Sequence, residues 1–122
     1  LHHWRLGVLW RRRVQAELSR RDLTLPRWLV LDCLATMWSE TGDMVSQKQV
    51  SRRLLMDEST LSLVMDRLLC DGLIDRAPAY PGPEYRIYLS EAGKLAVAAG
   101  RAVLDAVSVW MSAELGVDPS RR

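Results

Sequence analysis

Ser46-Gln47-Lys48-Gln49-Val50-Ser51-Arg52-Arg53-Leu54-Leu55-Met56-Asp57-Glu58-Ser59-Thr60-Leu61-Ser62-Leu63-Val64-Met65-Asp66-Arg67-Leu68-Leu69-Cys70-Asp71-Gly72 is the stretch that decides the fold. It holds two helical patterns with a break at Met56-Asp57. Ser46 is a good N-cap for a helix from Gln47 to about Leu55, with Val50, Leu54 and Leu55 inward and Gln47, Lys48, Arg52 and Arg53 outward. A second helix runs from Glu58 to Asp71, with Leu61, Val64, Met65, Leu68 and Leu69 inward. Gly72 supplies the left-handed residue that ends it. Two short helices joined by a turn of a few residues form a helix-turn-helix.

Working outward toward the C-terminus, Leu73-Ile74-Asp75-Arg76 and Tyr85 to Ser90 read as two strands. Ile87 and Leu89 face the core, while Arg86 and Tyr88 face out. Ala77 to Glu84, carrying Pro78, Pro81, Gly82 and Pro83, is expected to be the tip of this hairpin rather than part of its ladder. Ser90 then caps a last helix from Glu91 to about Leu115, closed by Gly116 and Pro119. Its apolar residues, from Leu95 to Met111, cover more of the circumference than one small domain needs. That excess points to a subunit interface.

Toward the N-terminus, Leu6, Trp10, Val14 and Leu18 recur every four residues and make one stripe of an amphipathic helix from Trp4 to about Arg21. Thr24 and Pro26 suit the start of a further helix, which carries Trp28, Leu31, Cys33, Leu34, Met37 and Trp38. It is mostly buried and ends near Glu40, at Thr41-Gly42-Asp43. Met44-Val45 is a short extended piece. The fold expected is mostly α with a small β-wing: a winged helix-turn-helix at 24–90, flanked by helices at 4–23 and 91–116.

A chain of 122 residues and 13.9 kDa fits one domain, 1–122. Net charge is +2, distributed as +5 over 1–27, −4 over 28–75 and +1 over 76–122. Placement, not total charge, must therefore carry any nucleic-acid claim. The longest uncharged apolar stretch, Ala106 to Ala113, falls short of the roughly 20 residues that cross a bilayer, so no membrane partner is expected. Cys33 and Cys70 read as small buried hydrophobes in a reducing compartment, which suggests the cytoplasm. The only histidines, His2 and His3, sit at the very start, and no base–nucleophile relay, glycine-rich phosphate loop or metal-ligand spacing is visible. No enzyme, cofactor or metal is expected.

A binding surface fares better. Ser59, Thr60, Ser62 and Leu63 project opposite the inward stripe of their helix, with Arg67 a turn further on. Hydroxyls near a helix N-terminus suit phosphates or base edges, and a major groove admits one helix. Gln47, Lys48 and Arg52 suit phosphate contacts that fix orientation. An ordinary solvated helix would carry the same residue types, and composition leaves the two readings even.

The segments Leu25 to Leu31, Val45 to Val50, Asp57 to Ser62, Asp66-Arg67-Leu68 with Gly72 to Arg76, and Leu89-Ser90-Glu91-Ala92-Gly93 together resemble the MarR (multiple antibiotic resistance regulator) family. The resemblance implies a homodimer that binds a pseudo-palindromic operator in double-stranded DNA and represses. Its terminal helices would intertwine, and two recognition helices would enter major grooves about 34 Å apart. Arg76 and Arg86 would support the wing. The resemblance also implies a small phenolic or aromatic-acid effector held near Trp10, Arg11, Arg27, Trp28 and Trp38. Two departures stand out. The wing lacks the family's Asp-x-Arg, and Leu63 stands where relatives often place a basic or amide side chain. Together with the acidic centre, they favour a runner-up: a winged helix turned to protein–protein interaction.

Overall fold

The computed structural model describes residues 2–78 and 85–115. Among them the order is α1 (His2–Ser19), α2 (Leu25–Thr41), α3 (Gln47–Leu54), α4 (Glu58–Cys70), β1 (Ile74–Pro78), β2 (Tyr85–Leu89) and α5 (Glu91–Leu115). The winged helix-turn-helix is as expected. The fold has two compact units: 26–97, and 2–25 with 98–115. α5 contributes to both.

In the larger unit, helix ends are set by local chemistry. Ser46 and Gln49 form a capping box: Ser46 Oγ accepts the Gln49 N–H (3.3 Å) while Gln49 Oε1 accepts the Ser46 N–H (2.8 Å). α4 ends with Gly72 at φ +71, its N–H on Leu69 O and the Leu73 N–H on Leu68 O, a paired closure that satisfies two orphan carbonyls. Ser90 starts α5, accepting the Gly93 N–H on Oγ and donating from Oγ to Gly72 O. The core gathers Trp28, Val30, Leu31 and Leu34 of α2, Val50 of α3, Leu61, Met65 and Leu68 of α4, and Ile74 and Ile87 of the wing, all buried. The strands pair antiparallel, Ile74 opposite Leu89 and Arg76 opposite Ile87. Val45 bridges Ile87 from the other side, so the Met44-Val45 piece adds a single antiparallel bridge to the free edge of β2.

Several expectations need correction. Ala77 and Pro78 belong to β1, opposite Arg86 and Tyr85, because a proline at the end of an outer strand breaks no ladder bond that a neighbour needs. The rest of the expected tip, with Pro81, Gly82 and Pro83, lies outside the described residues. Leu73 precedes the strand, its N–H turned back to close α4. Leu55 is 92% exposed rather than inward, because α3 ends before it and it adopts φ +53. Cys70 is exposed, since it sits on α4 opposite the buried stripe. Cys33 is buried as expected, and burial raises its thiol pKa.

The smaller unit packs Val14, Leu18 and Leu23 with Val103, Val107 and Met111, all buried. α1 starts at His2 and ends at Ser19, where Asp22 at φ +54 makes the left-handed turn and the Leu23 N–H reaches Leu18 O. Gln15 holds the linker to α2: its Oε1 accepts the Leu25 N–H at 3.0 Å. Arg13 lies over the Trp110 ring at 5.0 Å. Trp4, Leu9 and Val109 stay exposed. The expected stop at Gly116 and Pro119, like the side chains of His2 and His3, lies outside what is described.

Among the described residues, α5 is long and apolar enough over Glu91–Glu114 to cross a membrane on length and composition alone, and most of that stretch is not buried. It contains the uncharged run at 106–113. Lys94, Arg101 and Asp105 interrupt the longer stretch without interrupting the helix.

Candidate nucleic-acid interface

The N-termini of α3 and α4 and the wing, all in the larger unit, meet around a concavity of about 380 Å³. It is lined by Ser46, Gln47, Lys48, Glu58, Ser59, Ser62, Arg76, Tyr85 and Ile87. Five of the nine residues expected at a nucleic-acid surface come together there: Gln47, Lys48, Ser59, Ser62 and Arg76. Thr60, Arg52, Arg67 and Arg86 lie outside its lining.

The elements are tied before any ligand arrives. Gln47 Nε2 donates to Ser62 Oγ at 2.8 Å, strapping the first turn of α3 to α4. Arg86 Nη1 donates to Gln49 Oε1 at 3.4 Å, joining the wing to the capping box. Arg53 makes two bonds of 2.6 Å to the Glu40 carboxylate, which joins α2 to α3 and lowers the Glu40 pKa. With Arg53 so held, Lys48 and Arg52 are the exposed cations of α3 that make no ion pair among the described residues.

Asp57 caps α4. Its carboxylate accepts the Ser59 hydroxyl at 2.5 Å, the Thr60 N–H at 3.0 Å and the Thr60 hydroxyl at 2.7 Å. These bonds, led by that from Ser59, hold its pKa at about 2, below the ordinary 3.8. Both hydroxyl hydrogens are therefore directed at the cap. Arg67 is paired with Asp71 at 3.1 Å. The Arg76 guanidinium lies 5.1 Å from the centre of the Tyr85 ring.

Tyr85 and Glu58 were not anticipated. The signal for Tyr85 was the hairpin register. With Arg76 opposite Ile87, the period of two puts Tyr85 on the same face, diagonal to Arg76. That register is hidden as long as Pro78 is assigned to the tip. Glu58 is the acidic residue in the first turn of α4. It places negative charge beside the Lys48 and Arg76 cations.

The five residues expected around an effector fall in both compact units. Trp10 and Arg11 belong to the smaller unit, and Arg27, Trp28 and Trp38 to the larger. Trp28 is buried with its indole N–H donated to Val97 O at 3.2 Å, which makes it a core residue. Trp38, 53% exposed, lines a mostly apolar groove of about 420 Å³ with Leu34, Met44, Tyr88, Leu89, Asp43 and Lys94. Among the described residues no His, Cys, Asp and Glu cluster could hold a metal.

No protein-family model matches the chain. It is 32% identical over 84 residues to the HTH-type transcriptional regulator TtmR of Methylorubrum extorquens, an alignment covering 68% of this chain. The chain spans 40% of that relative's length. A MarR family transcriptional regulator from Rhodococcus sp. RHA1 superposes with a TM-score of 0.78 at 22% identity, over 95% of this chain and 78% of that one. A MarR mutant from E. coli complexed with operator DNA gives 0.75 at 16% identity, over 93% and 77%. A Mycobacterium tuberculosis MarR family protein in complex with salicylic acid gives 0.68 at 24% identity, over 95% and 82%. The chain has the fold of the MarR family of winged-helix transcriptional regulators, as the resemblance in its sequence implied.

Proposed function

We propose that this protein is a sequence-specific, duplex-DNA-binding transcriptional regulator that works in the cytoplasm as a homodimer and represses. The observation that carries the reading is the concavity where Gln47, Lys48, Ser59, Ser62 and Arg76 converge at the start of α4. Exposed cations on α3 and the wing, on either side of the start of α4, favour phosphate, and the α4 face is of a size that enters a major groove. The E. coli neighbour complexed with operator DNA supports that direction. A second copy is the natural cover for α5, on which Ala102 and Ala106 are exposed and Val109 is 66% exposed. Two copies would set two α4 helices on successive major grooves of a pseudo-palindrome.

The test is a titration of the chain's own upstream DNA at two or more salt concentrations, read by mobility shift or anisotropy. Lys48, Arg52 and Arg76 from each of two copies make six phosphate contacts, so log affinity should fall against log salt with a slope of about −5. No retardation at low salt, from a folded dimer, would overturn the DNA reading. It would favour a winged helix that docks on protein, a reading supported by Leu55 and Leu63, both largely exposed beside the helix-turn-helix.

A phenolic or aromatic-acid effector completes the proposal, supported by the salicylic acid complex of the mycobacterial neighbour. Of the five residues expected to hold it, Trp38 lines an open groove. Salicylate should quench tryptophan fluorescence in the parent and lose that effect in Trp38→Phe. Equal quenching in both would remove Trp38 from the site.

A further inference from the structure

α4 presents an outward face whose polar groups are mostly already engaged. Its buried stripe is Leu61, Met65 and Leu68. At about 100° per residue, Leu63 lies roughly 200° around the helix from Leu61, diametrically outward, with Ser59 and Arg67 one turn to either side. The Ser59 and Thr60 hydroxyls donate to Asp57, Ser62 Oγ accepts from Gln47, and Arg67 is paired with Asp71. To donate to a base, the Ser59 and Thr60 hydroxyls must first leave Asp57. Leu63 has no partner to leave, and it is 74% exposed. Asp66, to one side, offers only acceptors.

Thymine is the base that offers an apolar group in the major groove, its C5 methyl, and apolar side chains are what recognise it. Resting on the DNA-binding reading above, we propose that Leu63 is a specificity-determining residue that reads thymine C5 methyls at the centre of each half-site. Removing a buried methyl is worth about a fourfold loss in affinity, or about fifteenfold when both copies of α4 lose it.

The experiment uses the full chain and two versions of its own upstream DNA, amplified with thymidine or with deoxyuridine triphosphate. The second lacks every thymine methyl and keeps the pairing. The parent should bind the thymine duplex about fifteenfold or more tightly than the uracil duplex. Leu63→Ala should bind both nearly alike, close to the parent on uracil. Leu63 is exposed, so the variant should fold, which circular dichroism checks. Equal binding of the two duplexes by the parent overturns the inference while leaving the DNA reading intact. So does a Leu63→Ala variant that keeps the parent's full discrimination. Failure of the parent to bind either duplex overturns the DNA reading itself.

Discussion

Gly93→Ala should destabilise the protein although it replaces glycine inside a helix, where alanine is normally favoured by about 1 kcal/mol. Gly93 lies in the first turn of α5, and its N–H bonds Ser90 Oγ at 3.1 Å. A Cβ there would fall well inside contact distance of Leu73 O, and only 3.0 Å from the Leu73 carbonyl carbon and 3.2 Å from Leu89 Cδ2. The obstacle is backbone, and it is pinned: the Leu73 N–H bonds Leu68 O at 3.0 Å and Leu73 O accepts the Ser90 N–H at 3.1 Å. Relief requires a displacement of the helix start on the order of 1 Å in a close-packed region. Overpacking of this kind costs about 1–3 kcal/mol. The shift also weakens the Ser90 N–H bond to Leu73 O and the Ser90 Oγ bond to Gly72 O, at about 1 kcal/mol each. After the helix-propensity gain, the net is about 2–4 kcal/mol against folding, a fall in thermal midpoint on the order of 10 °C. Gly7→Ala is the control, because a Cβ on Gly7 meets nothing within 4 Å. It should raise stability by up to about 1 kcal/mol. Urea unfolding at one fixed protein concentration measures both. A Gly93→Ala variant as stable as the parent, or the same sign for both variants, would refute the close approach at Leu73.

Leu55→Gly should raise stability by about 1 kcal/mol, because Leu55 sits at φ +53 with a side chain exposed to water; a thermal midpoint at or below the parent's would count against this. Asp57 has its pKa depressed to about 2, so its contribution is fully present above about pH 4 and is lost as pH falls through 2. Asp57→Ala should therefore melt below the parent at pH 7, with the gap closing between pH 4 and 2; a gap independent of pH would detach the cap from the shift. Arg52→Ala, which removes one phosphate contact from each of two copies, should weaken binding to all duplexes alike and make the salt slope shallower by about 2, whereas Thr60→Ala should relax preference at one base position. Titration on matched and mismatched duplexes separates the two, and equal loss of preference from both changes would contradict that division.

Elements were legible in the sequence wherever one short-range signal set a boundary. Ser46 with Gln49, Asp57 and Gly72, and the cap that Ser90 gives Gly93, all act within four residues of themselves, and the winged helix-turn-helix follows from them. What stayed hidden depends on partners distant in sequence or on a single dihedral angle. α3 spans little more than two turns, so periodicity weighs Leu54 and Leu55 equally. The left-handed turn then removes Leu55 from the helix. α2 is apolar on every side, and nothing in its pattern separates buried Trp28 from half-exposed Trp38. At the candidate site, the outward positions of Lys48, Arg52 and Ser59 were legible from helical angle. The commitment of the Ser59 and Thr60 hydroxyls was not, because a capping carboxylate competes with solvent for them only once α4 has formed.

That competition shapes how the surface would work. The bonds that order the start of α4 also place Asp57 and Glu58 at the tip that would approach a polyanion, and Asp57 remains ionised at any physiological pH. Attraction must then come from the flanks: Lys48 and Arg52 on α3, and Arg76 on the wing. The Gln47–Ser62 strap and the Arg86–Gln49 bond hold those flanks in register with α4. An acidic tip between cationic shoulders is repelled by phosphate on its axis and attracted on either side. That arrangement penalises a helix lying across the backbone and favours one seated between two backbones, as in a groove. Neutralising the tip should consequently increase affinity for arbitrary duplexes more than for the cognate site. A Glu58→Gln variant that gained equally on both would show that the tip's charge plays no part in orientation.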